Sequence, residues 1–275
     1  MSLSVPDHIA DCVAAKQFDA EPTAASDGVL SPGAFFDRED VCTRYRQLRD
    51  DPAAPVIAIE RPIVLDFLGE PKGREFLDIG CGNAWIGRYL LDRGAKRYLG
   101  LDVSHRLLSE AQHILSGTAG EVEHQDLELW SGTCGHFDAV ISRLALQYVE
   151  NFGRVLEIVR RQLRPAGVFV FSVEHPVLTS ICERPDSDEI ERGGPLHQYF
   201  REGERTDTWL GATVRKYHRT LQTYVSQLLQ HGFLIHRFSE GCPKRDRFAS
   251  DDSYEVRLDF PVCIVFRCVR IGGPN

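Results

Sequence analysis

Several features are missing from this sequence of 275 residues. There is no basic excess: 40 acidic residues outnumber 32 basic ones, for a net charge of −8. Because proteins that bind nucleic-acid backbones usually carry the opposite balance, no nucleic-acid partner is predicted. The 8 cysteines form no Cys-x-x-Cys pair, and no His, Cys and carboxylate cluster has metal-ligand spacing, so no metal is expected. Most cysteines are expected to be small buried side chains in a reducing compartment.

Long apolar runs are also scarce. The most apolar stretches, GVFVFSV and FPVCIVF, have the length of strands and are too short to cross a bilayer. The first twenty residues lack a basic start followed by an apolar run, so no signal peptide is predicted. We expect a cytoplasmic monomer or homodimer that has no membrane partner. A chain of this length fits one α/β domain with added segments.

What the sequence does contain is an alternation of strand-length apolar runs and helical periods from Gly73 onward. REFLDIG, KRYLGLDV, GEVEHQD, FDAVISR and GVFVFSV are predicted to be strands one to five. Strands separated by helices predict a parallel, doubly wound sheet. FLIHRF and LDFPVCIVFRCV follow with no helix between them, so they should pair antiparallel. The predicted fold is a Rossmann-like α/β sheet of seven strands, mainly parallel, with an antiparallel last strand.

Two segments lie outside this alternation. Residues 1–70 hold many aromatic side chains and partly helical patterns, and are predicted to form an N-terminal helical cap on a domain spanning 71–275. Residues 176–216 are rich in charge, glycine and proline and show no long period. Because that segment follows the C-terminal end of the fifth strand, where open α/β sheets bind ligands, it is predicted to be an inserted lid without regular structure of its own.

The stretch LDIGCGNAWIG forms the first predicted strand-to-helix turn. Gly80 and Gly82 have no side chains to keep a ligand away from the helix N-terminus. A dinucleotide site would have glycine at the sixth position of G-x-G-x-x-G, where this chain has Trp85. The turn therefore predicts a ligand other than NAD.

Three carboxylates stand at the C-terminal ends of successive predicted strands. Asp78 precedes Gly80, Asp102 ends the second strand, and Asp126 follows the third. An acid in the position of Asp102 can accept hydrogen bonds from both ribose hydroxyls of an adenosine ligand. Asp126 can accept one from the exocyclic amine of adenine. Together they predict an adenosine-bearing ligand at this edge of the sheet.

The block from Phe76 to His175 resembles class I S-adenosylmethionine (SAM)-dependent methyltransferases. LDIGCGNA is similar to their glycine-rich loop, GLDVS and HQDLE to their ribose- and adenine-binding acids, and LRPAGVFVFS to the strand after the Pro-Gly turn. EHP, YFREGER, TDTW and KYHRTLQTYVSQLLQHGF resemble a bacterial subgroup that has a lid and acts on small molecules. The resemblance implies SAM as co-substrate and a small-molecule substrate, of the kind met in secondary metabolism.

The resemblance also implies roles for individual residues. Asp102 would hold the ribose, Asp126 and the backbone of Leu127 the adenine, and Arg143 would lie beside the sulfonium. Tyr45 and Arg49, ahead of an acid at Glu60, could clamp the SAM carboxylate. The implied cofactor site comprises Tyr45, Arg49, Asp78, Gly80, Gly82, Asp102, Asp126, Leu127 and Arg143.

The chain departs from the family pattern at three places. Ala84 stands where the third loop glycine is usual, and Ala166-Gly167 replaces a glycine pair. Gln147 occupies a position where relatives often carry a histidine that could accept a proton. Candidates for that role are Tyr148, Glu174, His175 and His218; those predicted to contact the substrate are Gln147, Tyr199 and His218.

Three functions fit these observations. The first is methyl transfer from SAM to O, N or C of a small metabolite. The second is cyclisation, because some proteins resembling this family let the α-amine of SAM attack its γ-carbon, giving azetidine-2-carboxylate and methylthioadenosine. The third is a non-catalytic SAM-binding protein.

Overall fold

The computed structural model of the protein describes residues 28–52, 54–132, 137–180, 198–255, 257–259 and 261–272. The strands in chain order are β1 (Glu75–Ile79), β2 (Arg97–Asp102), β3 (Gly120–His124), β4 (Phe137–Arg143), β5 (Leu163–Glu174), β6 (Gly203–Trp209), β7 (Ala212–His218), β8 (Phe233–Ser239) and β9 (Cys263–Arg270). The α-helices are α1 (Pro32–Asp37), α2 (Glu39–Asp50), α3 (Arg61–Leu68), α4 (Trp85–Leu91), α5 (His105–Leu115), α6 (Phe152–Gln162), α7 (Pro176–Ser180), α8 (Leu221–Gln230) and α9 (Asp251–Glu255). A π-helix over Val56–Glu60 precedes α3, and 3-10 turns span Leu146–Tyr148 and Arg245–Arg247.

Seven strands form one sheet in the order β3-β2-β1-β4-β5-β9-β8. Neighbours among β1 to β5 are parallel, whereas β9 runs antiparallel to both β5 and β8. The crossovers through α4, α5 and α6 explain the parallel half, because parallel strands need a long connection. The predicted Rossmann-like sheet with an antiparallel last strand is confirmed.

Both faces of the sheet are covered by helices. On one face, α6 and α8 contribute Phe152, Leu156, Tyr224 and Leu228 to a buried cluster. On the other, the helices α3, α4 and α5 bury side chains that include Phe67, Leu90 and Leu115. Burying a side chain of this size stabilises the fold by about 1.5–3 kcal/mol. Strands β1, β2, β4 and β5 are apolar over most of their length because both their faces are buried, whereas β3, at the edge of the sheet, is largely exposed.

The N-terminal helices lie over the C-terminal edge of the sheet. Ser104 Oγ donates a hydrogen bond to Asp37 Oδ1 over 2.7 Å, and the Arg106 amide donates to the same oxygen over 3.0 Å. A Cβ on Gly33 would lie 3.2 Å from Val103 O, so α1 and the β2–α5 corner are closely packed. Helix α3, although it falls in the segment predicted to be the cap, packs into the core of the sheet. Residues 1–27 of that segment lie outside the described residues.

The second half of the predicted lid has regular structure, so the expectation of an irregular segment was wrong there. Strands β6 and β7 form a two-stranded antiparallel sheet joined by Leu210 and Gly211, both at positive φ, which is one of the two conformations that two-residue hairpins favour. Strand β7 also extends to His218, past the predicted limit at 216. The part over 181–197 lies outside the described residues.

Five free cysteines lie in the described part of the chain. Cys42, Cys81, Cys263 and Cys268 are buried, as predicted, and Cys242 is exposed. The remaining cysteines, at positions 12, 134 and 182, fall outside the described ranges. No helix within those ranges combines the length and the hydropathy that a membrane span needs.

Candidate functional site

The glycine turn is fixed to the end of β2 by hydrogen bonds. Gly80 and Gly82 have φ of 74° and 56°, a left-handed conformation that glycine adopts without strain. Asp102 accepts from the Gly82 amide over 2.8 Å through Oδ2 and from the Ser104 amide over 2.9 Å through Oδ1. Burial raises the pKa of Asp102 against the effect of these donors. The structure therefore brings the predicted ribose-binding acid and the glycine turn together.

Asp78 lies beneath this turn and is only half satisfied. It is 1% exposed, and its Oδ2 accepts from the Tyr98 hydroxyl over 2.7 Å. Within the described structure, Oδ1 is buried and has no hydrogen-bond partner. Burial raises the pKa of Asp78 to about 6, with Tyr98 and two arginines opposing it. This carboxylate can accept a further hydrogen bond from a bound cation or amine.

Asp126 follows β3 at the same edge of the sheet. The Gln125 amide donates to Asp102 O over 2.9 Å, which joins the two acidic corners through the backbone. Asp126 itself is exposed, and its Oδ1 accepts from the Glu128 amide over 2.9 Å. Leu127 packs against the sheet core. Asp126 and Leu127, predicted to bind adenine, thus lie at the C-terminal edge of the sheet. The Asp126 carboxylate stabilises the turn after β3 through its bond to the Glu128 amide.

Tyr45 and Arg49 stand over the glycine turn, on α2. Arg49 Nη1 donates to the Tyr45 hydroxyl over 2.9 Å. A Cβ placed on Gly82 would be 4.0 Å from each of these two atoms. The structure thus places this pair, separated from Gly82 by more than thirty positions in sequence, at the backbone that the cofactor is expected to approach.

Three arginines gather at Trp85, the first residue of α4. The guanidinium carbons of Arg61, Arg143 and Arg49 lie 4.1, 4.7 and 5.9 Å from the centroid of the indole ring, within the range of cation–π contact. We call these four side chains the arginine–tryptophan cluster. Arg61 Nε and Trp85 Nε1 are buried and have no hydrogen-bond partner among the described residues.

Arg143 is the member of the cluster that is paired with a carboxylate. Its guanidinium donates from Nε to Glu60 Oε1 over 3.1 Å and from Nη2 to Glu60 Oε2. Ser172 Oγ donates to the same Glu60 Oε1 over 2.6 Å. Burial alone would lower the pKa of Arg143, but the charge of Glu60 raises it overall. Arg143, predicted to lie beside the sulfonium, is therefore fixed by Glu60, which is itself 1% exposed.

Tyr148 and Gln147 come from the turn after β4. The Tyr148 ring meets Phe36 edge-on at 6.0 Å between centroids, in a cluster that also holds Tyr45 and Trp209. Burial, with the charges of Glu174 and Asp207, raises the Tyr148 pKa well above its usual range. Gln147 is 2% exposed and donates from Nε2 to Leu144 O over 2.8 Å, while its Oε1 is buried with no partner in the described structure.

Glu174 ends β5 and belongs to a buried ion cluster. Lys216 Nζ, on β7, donates to Glu174 Oε2 over 2.6 Å and to Asp207 Oδ2 over 2.7 Å. Lys216 is only 6% exposed, and the two carboxylates outweigh its burial and raise its pKa. We call these three side chains the lysine triad. It joins the β6–β7 hairpin to the main sheet.

The two candidate histidines have hydrogen bonds at both ring nitrogens. His175 Nδ1 accepts from the Val177 amide over 3.1 Å, so its Nε2 is assigned as the donor to Glu240 Oε1 at 3.1 Å. His218 lies between Thr179 Oγ1, at 2.7 Å from Nδ1, and Tyr199 O, at 2.8 Å from Nε2. Burial lowers the pKa of both imidazoles. Burial thus favours the neutral form of both rings, and their hydrogen bonds hold local structure together.

Tyr199 has a similar tie to the backbone. Its hydroxyl accepts from the Leu221 amide over 3.2 Å, at the start of α8. Together with the Tyr199 carbonyl that meets His218, this anchors the segment before β6 to the main domain. The residues predicted to contact the substrate therefore lie in two separate places. Gln147 lies beside Tyr148, whereas Tyr199 and His218 lie at the base of the β6–β7 hairpin.

Sequence reasoning did not single out Arg61, Lys216 or Asp207 as site residues, and used Trp85 only against NAD. A local signal for Arg61 exists, since Pro62 directly after it marks the start of a helix. Nothing local marks the contact of Arg61 with Trp85. Among the residues that the structure describes, no group of three His, Cys, Asp or Glu side chains could hold a metal ion.

Not every surface cavity lies at the C-terminal edge of the sheet. One, of about 470 Å³, is lined by Glu75, Arg97 and Gly120, which begin β1, β2 and β3. It therefore opens at the N-terminal edge of the strands. Ligands of open α/β sheets bind at the other edge, where the glycine turn and the arginine–tryptophan cluster lie.

Comparison with known proteins matches this geometry to a family. Residues 77–171 fit the family model described as "Methyltransferase domain". A SAM-dependent methyltransferase from Mesorhizobium loti shares 32% identity over 81% of this chain and all of its own, with a TM-score of 0.69. A candidate SAM-dependent methyltransferase from Listeria monocytogenes shares 30% identity over 80% of this chain and 98% of its own, with a TM-score of 0.70.

A further relative matches in part. The malonyl-[acyl-carrier protein] O-methyltransferase of Pseudescherichia vulneris is 33% identical over 110 residues, which cover 40% of this chain and 43% of that protein. The shared block, the sheet order and the glycine turn agree with one another. The chain belongs to the class I SAM-dependent methyltransferase superfamily.

Proposed function

We propose that this protein transfers the methyl group of SAM to an atom of a small acceptor molecule at the C-terminal edge of its sheet, with oxygen, nitrogen or carbon as the acceptor atom. The observation that carries the proposal is a set of buried polar atoms without partners around the glycine turn. They are Asp78 Oδ1, Trp85 Nε1 and Arg61 Nε, one acceptor and two donors. Such atoms are rare in folded proteins unless a ligand or water satisfies them.

The acceptor atom of this set suits the amino-acid end of SAM. The Asp78 carboxylate would accept from the cofactor ammonium, and Tyr45 with Arg49 would donate to its carboxylate beside Gly82. Asp102 would accept from the ribose and Asp126 from the adenine, as the resemblance implies. SAM supplies an activated methyl group, so the chain has to bind, orient and exclude water.

The acceptor would lie on the β4–β5 side of the glycine turn. Half-buried rings of Phe36, Tyr45, Tyr148 and Trp209 meet there, and Gln147 Oε1 has a free lone pair. The N-terminal helices and the β6–β7 hairpin would exclude water as a cap and lid. Because Glu174 is bound by Lys216 and both histidines are hydrogen bonded, an acceptor that needs no strong base fits best.

Incubation of the pure protein with SAM, alone and with candidate acceptors, tests the proposal. Mass spectrometry should detect S-adenosylhomocysteine and a methylated product only when an acceptor is present. Binding of SAM without turnover under all conditions would support the non-catalytic alternative instead.

Cyclisation of SAM is a second candidate, favoured by Asp78. In that reaction the α-amine nitrogen attacks the γ-carbon, the carbon–sulfur bond breaks, and one proton leaves the nitrogen. A buried carboxylate with a pKa of about 6 and an unpartnered oxygen could accept that proton. Methylthioadenosine formed from SAM alone would support this candidate, and S-adenosylhomocysteine formed with an acceptor would support methyl transfer.

A further inference from the structure

The arginine–tryptophan cluster has more positive charge than the chain itself balances. Of its three guanidiniums, Arg143 is paired with Glu60. In the described structure neither Arg49 nor Arg61 has a carboxylate within ion-pair distance, although Asp78 lies close enough to Arg49 and Arg143 for its pKa to be affected. When Glu60 and Asp78 are both counted as counter-charges to the three arginines, one positive charge remains.

Arg61 is the arginine that we assign to this unbalanced positive charge. Its guanidinium packs on Trp85 at 4.1 Å, and its Nε is buried with no hydrogen-bond partner in the part of the chain that the structure describes. Burial and the charges of Arg143 and Arg49 lower its pKa to about 10, so Arg61 stays charged at pH 7. A buried, unpartnered donor on a cation is costly unless a ligand supplies the acceptor.

SAM alone does not remove the excess. It brings one carboxylate, which the Tyr45–Arg49 pair beside Gly82 can bind, together with an ammonium and a sulfonium. Binding of the cofactor therefore adds positive charge to a cluster that is already positive. A second anion is needed, and Arg61 with Trp85 Nε1 offers two donors for it.

From this geometry, and resting on the proposed methyl transfer, we propose that the acceptor carries a carboxylate that binds to Arg61, with Trp85 Nε1 as a second donor. Planar guanidinium and carboxylate groups match in shape and form strong charge-assisted hydrogen bonds. The substrate class is therefore small carboxylic acids, in preference to amines or uncharged alcohols.

A carboxylate acceptor would also need no base to take up a proton. When one of its oxygens attacks the methyl carbon, the carbon–sulfur bond breaks and its electrons stay on sulfur. The anion and the sulfonium become a neutral ester and a neutral thioether, and no proton is released. The hydrogen-bonded state of His175 and His218 is compatible with that reaction.

The test measures binding, so it does not require the natural acceptor. The full chain is saturated with S-adenosylhomocysteine and titrated by calorimetry with benzoate and malonate, and separately with benzamide and malonamide as uncharged analogues. We expect at least one acid to bind at least tenfold more tightly than its amide. Arg61→Gln should weaken binding of that acid at least tenfold, with the affinity for S-adenosylhomocysteine within threefold of wild type.

Arg88→Gln is the matched control, because Arg88 lies on the same helix as Trp85 but is exposed and paired with Asp92 over 2.8 Å. It should bind like wild type. Arg61→Lys keeps the charge and should show a smaller loss than Arg61→Gln, and the comparison of acids with amides in the wild type stands even if a variant fails to fold.

Two results would overturn the inference. If neither acid binds the wild type better than its amide, the carboxylate subsite does not exist. If Arg61→Gln weakens S-adenosylhomocysteine binding tenfold or more, Arg61 holds the cofactor carboxylate instead. Either result leaves the proposed methyl transfer intact, whereas failure of the wild type to bind S-adenosylhomocysteine would contradict the proposed function itself.

Discussion

Two charged clusters lie at the same edge of the sheet and differ in how far the chain itself satisfies them. In the lysine triad, Lys216 bonds to both carboxylates at 2.6 and 2.7 Å. Around Trp85, by contrast, Arg61 Nε, Asp78 Oδ1 and Trp85 Nε1 have no partner within the described residues. A satisfied cluster holds structure together, whereas an unsatisfied one needs a ligand or water to complete it. The first should therefore control stability, and the second should control binding.

The largest effect is expected from breaking the lysine triad. Lys216→Met leaves Glu174 and Asp207 as adjacent, largely buried carboxylates without their cation, which should lower the free energy of unfolding by about 3–5 kcal/mol. Urea denaturation measures this. Lys96→Met is the matched control, because Lys96 pairs with Glu75 but its side chain is 69% exposed, and it should cost less than about 1 kcal/mol. Equal losses in the two variants would contradict a structural role for the triad.

A pH titration tests Asp78, whose Oδ1 has no hydrogen-bond partner in the described structure. Its pKa is about 6 in the folded protein against an ordinary value of 3.8. As the pH falls from 6 towards 4, the folded protein takes up a proton before the unfolded chain does, so this group makes the folded state more stable by roughly 3 kcal/mol. That contribution is lost again as the pH rises through 6.

Urea denaturation between pH 4 and pH 7.5 measures the effect, with Asp78→Asn as the comparison that lacks the titrating group. The difference between wild type and variant should change with pH in this window only. S-adenosylhomocysteine should bind more weakly below pH 6, because its ammonium then loses a charged partner. A difference between the two proteins that does not vary with pH would show that Asp78 titrates normally.

Asp102→Ala should weaken cofactor binding more than it changes the fold. Loss of a charged acceptor for the ribose costs about 1.5–3 kcal/mol, or roughly 10–100-fold in the dissociation constant for S-adenosylhomocysteine. Calorimetry measures the constant, and circular dichroism shows whether the variant is folded, since Asp102 also accepts from Gly82. Asp92→Ala, at the exposed end of α4, is the control. An unchanged affinity in Asp102→Ala would remove this residue from the cofactor site.

The contrast between the clusters also explains what the sequence could predict. Strands β1, β2, β4 and β5 have apolar runs because both faces are buried, and Asp78 and Asp102 stand near the ends of two of those runs. Strand β3 is a short, mostly exposed edge strand, and Asp126 follows it. The β6–β7 hairpin has no such signal, because its inward face alternates Arg205, Asp207 and Trp209 with exposed polar residues. Charge pairing across the hairpin replaces the apolar pattern that marks an ordinary half-buried strand.

The arginine–tryptophan cluster was not predictable for a different reason. Arg49 and Arg61 lie on separate helices, Trp85 begins the helix after β1, and Arg143 ends β4. No spacing within a helix or strand connects them, so their contact depends on how α2 and α3 pack against the sheet. The presence of Trp85 at the sixth loop position spoke against NAD from the sequence alone. The arginines that contact Trp85 could be identified only from the tertiary structure.

The smallest expected effect compares two alanines that stand where the family usually has glycine. Ala84 and Ala166 have φ of 55° and 61°, a left-handed conformation that costs an alanine about 1–2 kcal/mol. Ala166 is exposed, so Ala166→Gly should stabilise the protein by about 0.5 kcal/mol after the entropy of glycine is subtracted. Ala84 is fully buried beside the unsatisfied cluster, and Ala84→Gly also removes a packed methyl group worth about 0.8 kcal/mol, so it should be slightly destabilising. Thermal unfolding of the two variants would detect shifts of about 1–2 °C in opposite directions. An equal gain in both would mean that the Ala84 methyl group contributes nothing to packing, and that the turn next to the ligand site is strained without compensation.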